Sequence, residues 1–244
     1  MASSSDQGAR TSGQALLSII VPVYNEVRTV GLVLERLQQL DLPLAREIIV
    51  VDDGSTDGTS EVLARLEGTS SCVRVFRSER NEGKGAAVRL GISHAKGSIV
   101  AIQDADLELD PQQLAGLVVP ILDGDTDVVY GSRFMNGRPP MPLASYYANR
   151  TLTGITNALY RSRLTDMETC YKLMRTEVAR SLGLTANRFD IEPEVTAKLL
   201  RNGHRVVERP VRFMPRSRAQ GKKIGWRDAV QAIIVLWRCR FGRR

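Results

Sequence analysis

The stretch Ser98-Ile-Val-Ala-Ile-Gln-Asp-Ala-Asp-Leu-Glu108 is an apolar run that ends in three acids, Asp104, Asp106 and Glu108. A short run of β-formers reads as a buried strand, and acids at its carboxyl end lie where an open α/β sheet presents its ligand crevice. Carboxylates clustered in this way call for a cation. Hard oxygen donors suit Mg²⁺ or Mn²⁺, either of which can hold a diphosphate in turn. Side chains two apart on a strand share a face, so Asp104 and Asp106 can bracket one ion. A polar turn at a strand end is the plainer reading of an isolated Asp-Xaa-Asp.

The elements that must carry these residues alternate along the first half of the chain. Leu16 to Val23 is a β-branched run closed by Tyr24-Asn25-Glu26, and Glu47 to Val51 is a second strand that ends in Asp52-Asp53-Gly54-Ser55. Val30, Val33, Leu34, Leu37 and Leu40 recur between them at helical spacing. A helix capped at Ser55, Thr56 or Asp57 and running through Leu66, a third strand over Val73 to Arg77, and a helix over Gly83 to Ala95 follow, before a strand over Ile99 to Gln103. This β-α-β order predicts an α/β fold, a mainly parallel central sheet with helices on both faces, and brings three polar strand ends to one edge. Further on, Asp127 to Tyr130 reads as a strand leading into Gly131-Ser132-Arg133. Arg138-Pro-Pro-Met-Pro142 reads as a loop, Glu192 to Arg201 as a helix, and His204 to Phe213 as strand-like.

In that order, Ser18-Ile-Ile-Val-Pro-Val-Tyr-Asn-Glu26, Val50-Val-Asp-Asp-Gly-Ser-Thr-Asp57, Arg80-Asn-Glu-Gly-Lys-Gly-Ala-Ala87 and Gln103-Asp-Ala-Asp106 resemble the motifs of family 2 glycosyltransferases of the GT-A fold, a Rossmann-like sandwich. Gly131-Ser-Arg133, Asp166-Met-Glu-Thr-Cys-Tyr-Lys172 and Arg216-Ser-Arg-Ala-Gln-Gly-Lys-Lys223 resemble the polyprenyl-phosphate (dolichol-phosphate) hexosyltransferase branch. The resemblance implies an inverting, metal-dependent transfer of a hexose from a GDP- or UDP-sugar to polyprenyl or dolichyl phosphate.

Carried over residue by residue, the resemblance places Pro22, Tyr24, Glu26 and Asp53 in the nucleotide pocket, with Asp53 accepting hydrogen bonds from base or ribose. Lys84, between two glycines, can reach a phosphate. Asp104, Ala105 and Asp106 match the diphosphate and metal site, and Glu108, where the branch often has Gln, adds a third hard oxygen. Arg133, Arg150 and Arg216 match basic positions that hold the acceptor phosphate, with a structural ion pair as the alternative for the last two. Asp166 and Glu168 read either as a base for a hydroxyl acceptor or as positioning groups for Lys172 and the loop residues. Cys170, without a neighbouring His, reads as packing. A lipid monophosphate, with a second pKa of about 6, is already mostly ionised and needs orientation more than deprotonation. A soluble hydroxyl acceptor, or a silent nucleotide-sugar-binding subunit, are the alternatives.

Length and composition allow one domain over residues 15–244, with residues 1–14 a Ser- and Gly-rich tail; within it, 15–135 form a nucleotide-sugar half, 136–224 an acceptor half and 225–244 a basic amphipathic helix. No signal peptide is expected, and three widely spaced cysteines fit a reducing cytosol. Two histidines make a His-based zinc site improbable. Residues 201–244 hold 13 Lys and Arg against 2 Asp and Glu, or +11, whereas residues 1–200 carry −4. Nucleic acid is disfavoured as a partner, since aromatic content is low and no binding module accompanies the charge. The longest apolar run at the end, Ala229 to Trp237, is nine residues, or about 13 Å as a helix, against a bilayer core of about 30 Å. Trp226, Val230, Ile233, Trp237 and Phe241 form a stripe with Arg227, Arg238, Arg240 and Arg243-Arg244 nearby. Peripheral contact with the cytoplasmic face of a membrane is expected, assisted by a membrane-protein partner or not, although a helix packed on its own core carries the same stripe.

Overall fold

The computed structural model describes residues 15–68, 70–215 and 226–242, with the backbone alone at 226 and 227. The N-terminal tail, Arg216 and the rest of the basic loop through Lys223, the side chains of Trp226 and Arg227, and Arg243-Arg244 lie outside the described residues.

The chain alternates β1 (Leu16–Val23), α1 (Val30–Gln38), β2 (Ala45–Asp52), α2 (Thr59–Glu67), β3 (Val73–Arg77), α3 (Lys84–His94) and β4 (Ile99–Ile102). It continues through α4 (Leu114–Leu122), β5 (Val128–Ser132), α5 (Leu143–Tyr160), β6 (Lys172–Arg175), α6 (Thr176–Ser181), α7 (Ile191–Arg201), β7 (Val206–Pro210) and α8 (Trp226–Phe241). The strands form one seven-stranded sheet in the order β3-β2-β1-β4-β6-β5-β7. Strands buried on both faces read as unbroken apolar runs, and β1, Leu-Leu-Ser-Ile-Ile-Val-Pro-Val, is buried over seven of its eight residues. Its one polar residue, Ser18, donates to Glu47 Oε1 at 2.6 Å, so the hydroxyl is satisfied inside the sheet.

The strand order reverses between β1 and β4. The chain steps outward through β2 and β3, then crosses back to lay β4 on the other side of β1. Right-handed crossovers therefore put α1 and α2 on one face and α3, which packs on β1 and β2, on the other. This switch point opens a crevice at the carboxyl ends of β1, β2 and β4, where the three polar strand ends meet.

One strand was not foreseen. β6 runs antiparallel between β4 and β5, with Ala101 opposite Leu173 and Val129 opposite Leu173 on its other side. Strands on either side of residue 135 thus share one sheet. The strand ending at Gln103 in the sequence reading stops at Ile102, and Asp104 to Leu107 form a turn. Asp104 and Asp106 therefore do not alternate along a strand, and the shared-face argument does not hold for them. Leu107, at φ +62°, reverses the chain between Asp106 and Glu108 in a conformation uncommon for a non-glycine residue.

Candidate active site

The loops after β1 and β2 are tied to each other by their own polar side chains. Asn25 Oδ1 accepts from Thr56 N at 2.8 Å, Asn25 N donates to Ser55 Oγ at 3.0 Å, and Glu26 N donates to Thr59 Oγ1 at 2.9 Å. Asp52 accepts from Ser55 N at 3.0 Å and from the Ser60 hydroxyl. Asp53 does the same for the next loop, its oxygens accepting from Glu82 N at 2.9 Å and Gly83 N at 2.7 Å. Burial raises the Asp53 carboxyl above its ordinary value, against the opposing pull of those two N–H groups. Both aspartates thus hold loop N–H groups at this edge. Pro22 is buried opposite Val51, and Tyr24 and Glu26 are half-buried at the mouth.

Two glycines let the Arg80–Gly85 loop pass through this crowded edge. Gly54 has φ +72°, and a Cβ there would fall 2.6 Å from the Arg80 carbonyl carbon. Gly83 has φ +104°, and its Cβ would fall 2.3 Å from the Asn187 carbonyl oxygen. Neither position accepts a side chain without moving backbone.

Lys84, which follows Gly83, is the centre of a buried charge chain. Its Nζ lies 2.8 Å from Asp104 Oδ1, 3.0 Å from Asp104 Oδ2 and 2.9 Å from Glu192 Oε1. Glu192 pairs through its other oxygen with Lys172, whose ammonium also donates to the Met167 carbonyl at 3.0 Å and lies 4.9 Å from the Tyr130 ring centroid. Burial by itself would lower the Lys84 pKa, but the Asp104 and Glu192 charges outweigh it and hold the ammonium well above its ordinary value. The converse holds for Asp104: burial pushes the carboxyl up, and the neighbouring Lys84 pulls it below the usual range. Cys170 is buried beside Asp104, and burial drives its thiol far from the thiolate, as a packing residue requires.

The acidic turn is held from behind. Gln103 Nε2 donates to the carbonyls of Asp104 at 2.9 Å and Leu109 at 3.3 Å, and the Tyr171 hydroxyl lies 2.7 Å from Gln103 Oε1. Met214 N donates to the Glu108 carbonyl at 2.9 Å beside a bridge between Leu109 and Phe213. Ala105 is buried, and Asp106 Oδ1 accepts from Glu108 N at 3.0 Å.

Among the described residues, no three His, Cys, Asp or Glu side chains converge as a metal cluster. Asp104 is paired with Lys84, and Leu107 turns the chain between Asp106 and Glu108. The donor chemistry still fits a Mg²⁺ or Mn²⁺ ion, which is held by one or two carboxylates with phosphate oxygens and waters rather than by an all-protein cage. Asp104 and Asp106 would be the residues to hold it.

Across the crevice, Arg133 follows β5. Its Nε and Nη2 grip the two oxygens of Asp166 at 2.7 and 2.8 Å, and Nη2 also donates to Asn149 Oδ1 at 3.1 Å. The rings of Phe134 and Phe213 flank the guanidinium at 5.5 and 5.3 Å. Among the described residues no hydrogen bond engages Nη1. Arg150 lies exposed over the same Phe134 ring at 5.8 Å and donates to the Thr165 carbonyl at 3.1 Å. Asp166 is fully buried with both oxygens on Arg133. It thus positions Arg133, and the partner of Lys172 is Glu192, where the sequence reading offered Asp166 and Glu168.

Glu168 differs from its neighbour. Its Oε1 is buried without a hydrogen-bond partner among the described residues. Burial raises its pKa to about 7, only partly offset by Lys172 and Arg133. Glu192 is the main residue that the sequence reading missed. It stands in the first turn of α7 beside Glu194, where acids are ordinary helix-dipole partners, and the one available signal was a charge at a core-facing position.

The Glycosyl transferase family 2 model matches residues 18–183, and this chain belongs to that family. It is 30% identical over 215 residues to the Haloferax volcanii protein named Glycosyltransferase AglD, covering 85% of this chain and 34% of that one. The Micrococcus luteus Undecaprenyl-phosphate mannosyltransferase is 28% identical over 218 residues, covering 84% of this chain and 86% of that protein. Among solved structures, glucosyl-3-phosphoglycerate synthase from Mycobacterium tuberculosis in complex with uridine diphosphate superposes with a TM-score of 0.72 at 21% identity, over 93% of this chain and 80% of that one. The fold is the GT-A fold expected from the motifs.

Proposed function

We propose that this chain transfers a hexose from a nucleoside-diphosphate sugar to polyprenyl phosphate at a membrane surface, by a single displacement with inversion. The observation that carries the acceptor assignment is the Arg133–Asp166 pair: the buried carboxylate is spent on holding an arginine whose Nη1 makes no hydrogen bond among the described residues. Such a site suits an acceptor that arrives ionised. Arg133, with Arg150 alongside, orients the phosphate; each charge-assisted bond contributes about 1.5 to 3 kcal/mol, and correct placement beside the anomeric carbon contributes more. The names of relatives in Micrococcus luteus and Pyrococcus furiosus, which specify undecaprenyl and dolichol phosphate, support the same acceptor class.

On the donor side, Lys84 and the Asp104–Asp106 turn face the diphosphate, and the Tyr24–Glu26 and Asp53 loops enclose the nucleoside. A bound Mg²⁺ or Mn²⁺ supplies Lewis-acid stabilisation of the departing diphosphate. Lys84 supplies a fixed positive charge to the same leaving group, and Glu192 fixes where that charge stands. Peripheral membrane contact is supported by α8, which exposes Val230, Ile233, Ile234, Trp237 and Phe241. Among the described residues, no helix is long and apolar enough to cross a membrane.

Glu168 favours a second reading. A carboxyl near neutrality with an unpartnered buried oxygen is suited to accept a proton from a hydroxyl acceptor. The test is transfer of labelled sugar from GDP- and UDP-hexoses into lipid-extractable product with polyprenyl phosphate and Mg²⁺ or Mn²⁺, then with chelator. Metal-dependent labelling of the lipid supports the first reading; labelling of hydroxyl compounds alone refutes it.

A further inference from the structure

α8 turns two different faces to its surroundings. Ala232, Val235 and Leu236 are buried against α5 and α7, whereas Val230, Ile233, Ile234, Trp237 and Phe241 are exposed, Trp237 by 57% and Phe241 by 58%. These five recur at helical spacing and form one outward stripe, with Arg238 and Arg240 beside its end.

Tyr160, which packs against the last turns of α8, lines an open cavity of about 270 Å³ together with Arg161, Arg163, Leu200, His204 and Arg205. The Tyr160 hydroxyl donates to the Leu236 carbonyl at 2.7 Å, the Arg240 guanidinium lies 5.9 Å from the Tyr160 ring centroid, and Arg201 donates to the Cys239 carbonyl at 2.7 Å. The cavity shares no residue with the transfer site: it lies by the start of β7, where Val206 pairs with Val128, and its inner wall, Leu164 and Glu208, backs onto the Thr165–Asp166 segment that holds Arg133.

Arg161, Arg163 and Arg205 are exposed, and no hydrogen bond, ion pair or ring contact engages their guanidinium groups among the described residues. Glu208 on the inner wall has its carboxylate committed to Thr165 and Asp166. Arg161 also holds φ +55°, a conformation that glycine takes without strain. Three unpaired guanidinium groups around one concavity suit a phosphate, which accepts planar paired hydrogen bonds. A soluble anion or a nucleic acid would answer the arginines and leave the neighbouring apolar stripe in water. An anionic bilayer answers both.

We infer that the Arg161–Arg163–Arg205 cavity binds the phosphate headgroup of an anionic phospholipid while the adjoining stripe of α8 lies in the bilayer interface. This rests on the membrane-borne acceptor proposed above, but it is a second phosphate site, separate from Arg133, that orients the enzyme on the surface.

The test is co-sedimentation of the chain with vesicles of phosphatidylcholine alone and of phosphatidylcholine with phosphatidylglycerol, with no donor or acceptor present. The expected result is that the Arg163→Ala/Arg205→Ala variant binds the phosphatidylglycerol vesicles about 30-fold more weakly than the unaltered chain, its residual affinity for neutral vesicles being unchanged. Trp237→Ala/Phe241→Ala loses binding to both. Equal binding of the unaltered chain to neutral and anionic vesicles, binding to neither, or full anionic-vesicle binding by the arginine variant overturns the inference. Calorimetry with inorganic phosphate separates the sources: a free-phosphate site that the arginine pair abolishes, with vesicle binding intact, assigns the cavity to a soluble anion. Transfer to detergent-dispersed polyprenyl phosphate, unchanged in the arginine variant, is read separately, so failure of the transferase reading leaves the vesicle result standing.

Discussion

Glu192 is the residue on which the buried charges depend, since it is the partner of both Lys84 and Lys172. Removing one member of a buried pair leaves an uncompensated charge, at a cost of about 3–5 kcal/mol. Glu192→Gln is therefore expected to lower unfolding free energy on that scale, measured by urea denaturation, and Lys172→Met in the same chain to restore part of it. Nucleotide affinity should stay low in the double variant, because Lys84 still lacks its anchor. Glu168 makes a pH prediction. Its folded pKa of about 7 lies above the ordinary carboxyl value of 4.5, so the folded state binds the proton more tightly. Its contribution is favourable below the unfolded value and is lost as pH rises through about 7, by on the order of 3 kcal/mol. Glu168→Gln should flatten stability between pH 4.5 and 7, and an unchanged slope would contradict the burial argument.

The elements bring these groups together through contacts that vary in how plainly the sequence declares them. β1, β2 and β4 were legible because parallel strands buried on both faces are unbroken apolar runs, and their polar ends marked the crevice. β6 was not, because it is four residues long and includes Lys172, a charge that is tolerated inside only because Glu192 arrives 20 residues later on α7. The same long-range pairing hid the Lys84–Glu192 contact. Periodicity showed the stripe of α8 but not its direction: Ala232, Val235 and Leu236 face inward, close to α5 and α7, and Val230, Ile233, Ile234, Trp237 and Phe241 face out. At Gly83 the loop presses on Asn187 O, so Gly83→Ala should cost more than about 1 kcal/mol in thermal unfolding and weaken nucleotide binding together with it. Ala substitution at Gly116, where nothing lies within 4 Å, is the control.

At the scale of the whole molecule, the sheet divides the work. The β1-β2-β4 edge gathers aspartates and one lysine, the proposed nucleoside-diphosphate side, and the end of β5 leads to Arg133, the proposed phosphate side. Along the sequence the charge is concentrated toward the C-terminal end, +11 over residues 201–244 against −4 over residues 1–200. Asp104→Asn should reduce transfer at least 100-fold and remove its response to Mg²⁺, while Arg150→Ala should raise KM for the lipid with little change in donor affinity. The central claim is that the acceptor needs holding rather than deprotonating. It is tested most directly by the transfer rate of Glu168→Gln with polyprenyl phosphate at saturating donor. The expected kcat lies within about tenfold of that of the unaltered chain. A fall of the 10²- to 10⁴-fold size that a general base contributes would assign Glu168 as that base and contradict the phosphate-acceptor mechanism.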